Sequence, residues 1–162
     1  MYGTMNEVLQ SAAELNLPET RFRQLGPREW RLALKQVFDR FATTHKTSVT
    51  WLWEFLRKPH ASIQFDDGLP FVKPLFAPDT PVWLMVEDRW GKKRGNYWVF
   101  ESTYGTAVAV LENFHFVEYY LVDRKLEWML LENHHGYVIG VGEPALSLVR
   151  DLRQRYPERP IG

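Results

Sequence analysis

The sequence predicts an α+β protein in which N-terminal helices pack on an antiparallel sheet of about five or six strands, followed by a C-terminal helix. Apolar residues recur at helical spacing within residues 1–58, whereas short β-rich stretches separated by Pro, Gly and Asp occupy residues 61–143. A helical stripe returns in residues 144–156. The length of 162 residues matches one ordinary domain, so we expect a single domain over residues 1–162.

Three helices are predicted in the N-terminal part. The first covers residues 6–15, and the second covers residues 27–43 and begins with a proline, which is favoured in a first helical turn. The third covers residues 49–56 and contains Trp51 and Trp53. Because these two tryptophans are one residue apart, they cannot both face one core. We expect one of them to pack between the helix and the sheet.

The strand candidates share a run of β-branched and aromatic residues between turn-forming residues. They are residues 62–65, 82–87, 96–101, 117–122, 127–132 and 137–141.

Two further segments interrupt these strands. Residues 67–81 contain four prolines and should be irregular, because proline cannot donate to a sheet ladder. In residues 103–113, Ala and Leu favour a helix whereas Val108 and Val110 favour a strand, and we take a short helix.

The strands on either side of Arg124 and Lys125 should be antiparallel neighbours, because the turn between them is short. Both faces of this pair carry large apolar groups, so we expect it to be central and covered on both sides. The N-terminal helices would cover one side, and the terminal helix or a partner chain the other. One face should carry Tyr119, Leu121, Trp128 and Leu130, and the other Tyr120, Val122, Met129 and Leu131.

Composition excludes several classes of function. Twenty Lys and Arg balance twenty Asp and Glu, and no dense basic stripe is present, so we do not expect nucleic-acid binding. Lys92, Lys93 and Arg94 are interpreted as a solvated hairpin loop. No apolar run is long enough to cross a membrane. The chain has no cysteine, which is compatible with a reducing compartment, and we expect a cytoplasmic protein.

The densest polar cluster is the run Glu132, Asn133, His134 and His135, with Glu118 on the facing strand. Two imidazoles and nearby carboxylates suit a divalent transition metal such as Zn²⁺. Adjacent histidines in a regular strand point to opposite faces, so joint ligation would need a bend. The alternative is a turn in which these side chains cap backbone groups, and in that case the cluster binds no metal.

No recognised catalytic motif is present, so we assign no catalytic residue and no cofactor. There is no G-x-S-x-G sequence, and Gly140 and Gly142 lack the third glycine of a dinucleotide fingerprint. A ligand groove lined by Trp83, Tyr97 and Trp98 is one use of the aromatic surplus. Core packing is the use that we favour for these side chains.

Residues 118–143, EYYLVDRKLEWMLLENHHGYVIGVGE, contain a tyrosine-rich strand, a turn, a Trp-Leu strand and an Asn-His pair. In this pattern the chain resembles small bacterial α+β proteins and, more loosely, immunity proteins of the SUKH type, the Smi1/Knr4-like group. The resemblance covers roughly the last third of the chain, with weaker agreement near residues 51–55 and 97–101. It implies helices packed on an antiparallel sheet, and a function in binding a toxin rather than in catalysis.

Two functional hypotheses follow. The first is a non-enzymatic module of the immunity type, which binds a basic toxin surface through an acidic sheet edge. The second is a small metal-dependent or hydrolytic enzyme that uses the Glu-Asn-His-His cluster, Glu118 included. A homodimer formed through an exposed Trp face is a further possibility. The partner-binding residues of the first hypothesis are Asp66, Asp67, Glu87, Asp88 and Trp90.

Overall fold

Seven strands form one antiparallel sheet in the computed structural model, which describes residues 4–88, 97–113 and 118–160. Within these ranges the elements are α1 (Thr4–Glu14), β1 (Phe22–Gln24), α2 (Pro27–Phe41), β2 (His60–Gln64), α3 (Leu69–Val72), β3 (Pro81–Glu87), β4 (Tyr97–Thr103), α4 (Tyr104–Glu112), β5 (Tyr119–Asp123), β6 (Met129–Glu132), β7 (Tyr137–Val141) and α5 (Ala145–Arg155).

The α+β class, the N-terminal helices and the C-terminal helix are confirmed, with seven strands among the described residues where five or six were expected. The strand order is β1-β4-β3-β5-β6-β7-β2, and every neighbouring pair is antiparallel. The extra strand is β1, which pairs with β4. Its three residues are too few to show an alternating pattern, so the sequence could not indicate it.

The predicted hairpin is confirmed as β5 and β6, near the middle of the sheet. Leu121 pairs with Leu130 and Tyr120 with Leu131 in its register. Both faces of the pair are buried, as strands apolar on both sides require. The two predicted sets of side chains do fall into two separate hydrophobic clusters, one on each face.

Helix α2 covers one face of the sheet, which we call the α2 face. Its apolar stripe Leu34, Val37, Phe38 and Phe41 is almost completely buried there. The opposite face, the three-helix face, is covered by α1, α4 and α5. The expectation that the N-terminal helices share one side is therefore wrong for α1, because its Val8 belongs to the three-helix cluster.

The predicted third helix, residues 49–56, is wrong in most of its length. Only a short 3₁₀ helix, Leu52–Phe55, forms. Trp51 adopts a left-handed backbone conformation with φ of 59°, which an α-helix does not permit. The N–H groups of Trp51 and Leu52 bond to the side chains of Glu87 and Tyr97, so tertiary contacts replace helical hydrogen bonds.

Residues 67–81 are more regular than predicted. They contain α3 and a 3₁₀ helix, Lys73–Leu75, with a proline in the first turn of each, where a missing N–H does no harm. Pro81 is the first residue of β3, a position that also tolerates proline. The helix predicted for residues 103–113 is confirmed as α4. Among the described helices, none combines the length and apolar character needed to cross a membrane.

Candidate functional site at one end of the sheet

The predicted site residues that the structure describes all lie at one end of the sheet. Asp66 and Asp67 follow β2, Glu87 ends β3 and Asp88 follows it, and Glu118 precedes β5. Glu132 ends β6, and Asn133 to His135 form the turn into β7. Antiparallel pairing brings these strand ends together, because Glu132 is opposite Tyr119 and Glu87 is opposite Tyr97. We call this part of the molecule the acidic end.

Trp90, with the basic run from Lys92 to Arg94, lies outside the described residues. The remaining predicted partner-binding residues and the residues of the predicted Glu-Asn-His-His cluster lie in one region of the molecule rather than in two. They divide between the two faces of the sheet, since neighbouring positions on a strand point to opposite sides.

The predicted acidic edge is not one cluster. Strands β2 and β3 are four positions apart in the sheet, which places their ends roughly 19 Å from each other at ~4.8 Å per strand. Asp66 is exposed and forms a long ion pair with Arg159 (3.8 Å), and Asp67 accepts a hydrogen bond from the Leu69 N–H. Glu87, by contrast, is buried. Charge reversal there would disturb the fold as well as a partner.

Glu132 lies on the three-helix face, and both of its carboxylate oxygens accept hydrogen bonds. The Tyr119 hydroxyl donates to its Oε1 (2.8 Å), and the Gly68 N–H donates to its Oε2 (2.9 Å). Burial raises the pKa of Glu132, with a smaller contribution from the charge of Asp67, while the two hydrogen bonds lower it. A Cβ at position 68 would lie 2.7 Å from Glu132 Oε2, so glycine is needed for this close approach. Glu132 therefore anchors the loop after β2.

Asn133 shapes the turn between β6 and β7. Its Oδ1 accepts hydrogen bonds from the backbone N–H groups of His135 and Tyr137, both at 3.0 Å. Gly136 follows with φ of +79°, a conformation that suits glycine. This arrangement matches the capping interpretation of Asn133 rather than a ligand role.

Glu118 lies on the α2 face and is the centre of a second network. Its Oε1 accepts hydrogen bonds from the Trp53 indole N–H (2.8 Å) and from the His134 backbone N–H (3.2 Å). The Nδ1 atom of the His134 ring is 2.6 Å from the same oxygen. Three donors on one carboxylate oxygen fix the orientation of both aromatic side chains.

Glu87 adjoins this network from β3. The Trp51 N–H approaches its Oε1 (3.2 Å) and Oε2 (3.4 Å), and its carboxyl group is close enough to share a proton with that of Glu118. Burial, the largest cause, and the proximity of Glu118 together raise the pKa of Glu87 to about 7, although the Trp51 N–H lowers it. Two carboxyl groups in contact cannot both ionise easily, so Glu87 is the one that holds the proton.

Four aromatic rings pack against one another at this place, and two of them, those of Trp53 and His134, bond to Glu118. The Trp51 and Trp53 rings are stacked with centroids 6.2 Å apart, and the His134 ring is 5.3 Å from the first and 5.8 Å from the second. His135 meets Trp53 edge-on at 5.7 Å. Trp51 is 42% exposed, a large fraction for an indole. We call Trp51, Trp53, Glu87, Glu118 and His134 the aromatic–carboxyl cluster.

The loop that carries the two tryptophans is held at both ends. The Thr43 N–H donates to the Phe55 carbonyl (2.6 Å) and the Arg57 N–H to the Phe41 carbonyl (2.8 Å), which closes the loop on the end of α2. The Tyr97 hydroxyl accepts from the Leu52 N–H and donates to the Val49 carbonyl, both at 2.9 Å. Burial raises the pKa of Tyr97, so it stays neutral and keeps both contacts.

Sequence reasoning missed Trp51, Trp53 and Tyr97 as members of the site. The available signal was the pair of tryptophans one residue apart, of which one had to leave the core. The proposed groove of Trp83, Tyr97 and Trp98 does not form. Tyr97 and Trp83 belong to the α2 face, whereas Trp98 packs against the three-helix cluster, so the three share no surface.

The structure does not assemble the predicted metal set. Glu118 and Glu132 lie on opposite faces of the sheet, and the His134 ring contacts Glu118 through its Nδ1 atom. Over residues 4–88, 97–113 and 118–160, no group of three or more His, Asp or Glu side chains is placed to hold a metal ion.

Comparison with known protein families gives a match over most of the chain. A family model described as a family of unknown function, DUF6756, matches residues 4–153. No curated protein and no solved structure matches the chain.

Proposed function

Because the chain belongs to DUF6756, a family of unknown function, we propose its role from the geometry of the acidic end. The proposal is a non-enzymatic protein-binding module, of the immunity type that the SUKH resemblance implies, which binds and neutralises a basic toxin in the cytoplasm.

The observation that carries the proposal is the exposed indole of Trp51 beside buried carboxyl groups. An exposed tryptophan on a loop fixed by hydrogen bonds loses little conformational freedom when a partner covers it. Tryptophan is also among the side chains that contribute most to protein interfaces. Trp51 is 42% exposed, and its backbone is held by Glu87.

Charge supports the choice of partner. Residues 61–145 contain seven Lys or Arg against twelve Asp or Glu, and six of these acidic residues lie at the acidic end. Four of the seven basic residues, Arg89, Lys92, Lys93 and Arg94, fall between β3 and β4 in the sequence, outside the described residues. Opposite charge on a partner would speed its association and orient it on this end of the sheet. Asp66 and Asp67 are exposed and can contribute to this long-range attraction. Glu87 is buried, and its contribution is to hold the backbone of Trp51.

Affinity capture tests the proposal. The tagged protein is incubated with lysate of its native host, and bound proteins are identified by mass spectrometry while metal content is measured on the same sample. We expect one stoichiometric protein partner with a basic surface. A bound metal or small molecule with no stoichiometric protein would contradict the proposal.

A hydrolytic enzyme is the second candidate, and the Glu118–His134 contact of 2.6 Å is the observation that favours it. A carboxylate bound to one ring nitrogen of a histidine leaves the other nitrogen free for general acid–base catalysis. The metal-dependent version is tested by elemental analysis of protein purified without a His-tag. The absence of stoichiometric metal, together with unchanged stability in chelator, would rule it out.

A further inference from the structure

The aromatic–carboxyl cluster combines two features that attract cations. Indole rings attract a cation placed over their faces, and ionised carboxyl groups attract it directly. Trp51 presents the exposed ring, and its own backbone N–H lies 3.2 Å from Glu87 Oε1. The carboxyl pair therefore lies beside the backbone of the residue that presents the exposed ring.

The carboxyl pair has no permanent cation of its own among the described residues. Neither Glu87 nor Glu118 forms an ion pair with a described Lys or Arg, and the described basic group in contact with Glu118 is the imidazole of His134. Buried carboxylates are normally compensated by a positive group. Because Glu87 holds a proton, an external cation would offset the charge of the remaining carboxylate of the pair.

The Tyr120 hydroxyl is a second, independent indication of an incomplete site. Tyr120 is fully buried on the α2 face, in the electrostatic field of both Glu87 and Glu118. The backbone of Trp53 approaches this hydroxyl, but no hydrogen bond of normal geometry forms in the described part of the chain. Buried polar groups normally have such a bond, so the network beneath the tryptophans is incompletely satisfied in the described part of the chain.

We propose that the aromatic–carboxyl cluster binds the guanidinium group of an arginine, stacked on Trp51 and bonded to the Glu87–Glu118 carboxyl pair. Arginine matches the site better than lysine, because its planar group stacks on an indole while its N–H fork reaches a carboxylate. The inference deepens the proposed function, since the arginine would come from the protein partner, but the site can be tested without that partner.

The probe is N-acetyl-L-arginine amide, titrated into the full chain and followed by the indole N–H signals of Trp51 and Trp53 in ¹H–¹⁵N NMR spectra. The matched control is N-acetyl-L-citrulline amide, which has nearly the same shape without the charge. We expect saturable shifts of these two signals with arginine amide and at least about tenfold weaker binding of citrulline amide. Equal shifts with both compounds, or none, would overturn the proposal.

Two further measurements keep the result interpretable. Trp51→Leu should reduce the affinity for arginine amide at least about fivefold, whereas the exposed Leu32→Ala should leave it unchanged, and both proteins are first shown to be folded by circular dichroism. N-acetyl-L-lysine amide should bind more weakly than the arginine compound. Tighter binding of the lysine compound would overturn the guanidinium assignment.

The outcomes separate this inference from the proposed function. Capture of a stoichiometric partner together with no binding of arginine amide would overturn the cation site and leave the protein-binding role standing. Binding of arginine amide without a captured partner would support the site and contradict that role.

Discussion

Glu87 holds a proton near neutral pH because it is buried beside another carboxyl group. Burial is the largest cause and Glu118 adds to it, so the pKa of Glu87 rises from 4.5 to about 7. The groups that face it are Glu118 and the N–H of Trp51, with Tyr97 and Tyr120 nearby, and His134 contacts Glu118. Protonation of this residue is therefore coupled to the packing of the Trp51 loop, residues 43–56.

The raised pKa of Glu87 predicts a pH dependence of stability. Below about pH 4.5 the carboxyl group is protonated in both the folded and the unfolded states. Between about pH 4.5 and 7 the unfolded chain ionises while the folded protein keeps its proton, so stability falls as pH rises and then levels off. Glu87→Gln should remove this loss and be more stable than wild type by about 1–2 kcal/mol at pH 8, after allowance for solvent screening.

Urea denaturation of both proteins from pH 4 to pH 8 measures the effect. Glu54→Gln is the matched control, because Glu54 is exposed in the same loop. Parallel pH profiles for wild type and Glu87→Gln would show that Glu87 is not the responsible group.

Gly142 is a residue whose backbone excludes other side chains. It has φ of +71°, and a Cβ there would collide with the Glu127 carbonyl oxygen. Gly142→Ala should therefore destabilise the protein by about 2–4 kcal/mol. Gly26→Ala is the control and should cost about 1 kcal/mol or less, because a Cβ at position 26 would have Glu29 Oε1 as its nearest neighbour, at 3.5 Å. Thermal unfolding of the two variants measures the stability that each has lost. Equal losses of stability would contradict the prediction.

The conformation of the Trp51 loop is set by tertiary contacts rather than by its own sequence. Its ends are closed on α2 and its middle is bound to Tyr97, which belongs to β4. This arrangement presents Trp51 at the acidic end while Trp53 packs against the α2 face.

Tyr97→Phe should loosen this loop without removing the ring from the core. Loss of the two hydrogen bonds is expected to cost about 1–3 kcal/mol, because the Leu52 N–H and the Val49 carbonyl lose their shared partner. It should also speed hydrogen exchange at Leu52. Tyr137→Phe is the control, since no described group bonds to the Tyr137 hydroxyl. Unchanged exchange at Leu52 would be inconsistent with the assigned role.

Regular elements with strong periodicity were predictable, and elements fixed by distant residues were not. The two faces of β5 and β6 follow directly from alternation over four or five residues. The loop around Trp51 was predicted as a helix because its apolar spacing allows one, but Glu87 and Tyr97 lie far away in sequence and take its N–H groups. Strand β1 is too short for any pattern.

The sequence predicted which types of residue form the site, but not which of them lie together on one face of the sheet. Glu118 and His134 were singled out together, and the structure does bring them into contact. Glu132 was grouped with them because it is close in sequence, yet its position in the register opposite Tyr119 turns it to the other face. The tryptophans joined the site only through the fold of the loop.

The sheet is the middle of three layers, and its central strands hold the fold together. Leu121 on β5 is completely buried, whereas Leu32 on α2 is 59% exposed. Leu121→Ala should destabilise the protein by about 2–5 kcal/mol, and Leu32→Ala by about 0.5 kcal/mol or less. Urea denaturation compares the two. Similar losses would contradict the three-layer arrangement.

The two faces also explain how one end of the sheet can carry a stable scaffold and an exposed surface. Helices cover both broad faces, so the strand ends are left to carry polar groups. On the three-helix face Glu132 is used to hold the fold, and on the α2 face Glu87 and Glu118 lie beneath an exposed indole. A partner at this end would contact groups already fixed in position, which favours affinity.

The most direct test of the protein-binding role is quantitative capture from host lysate by three tagged proteins in parallel: wild type, Trp51→Ala and Leu32→Ala. Both substituted side chains are exposed, so neither change should unfold the protein. We predict that wild type and Leu32→Ala retain one stoichiometric protein partner and that Trp51→Ala retains at least about tenfold less, as loss of an interface tryptophan worth about 1.4 kcal/mol or more would give. Equal capture by all three proteins, or a partner lost only with Leu32→Ala, would contradict the assignment of the acidic end as the interface.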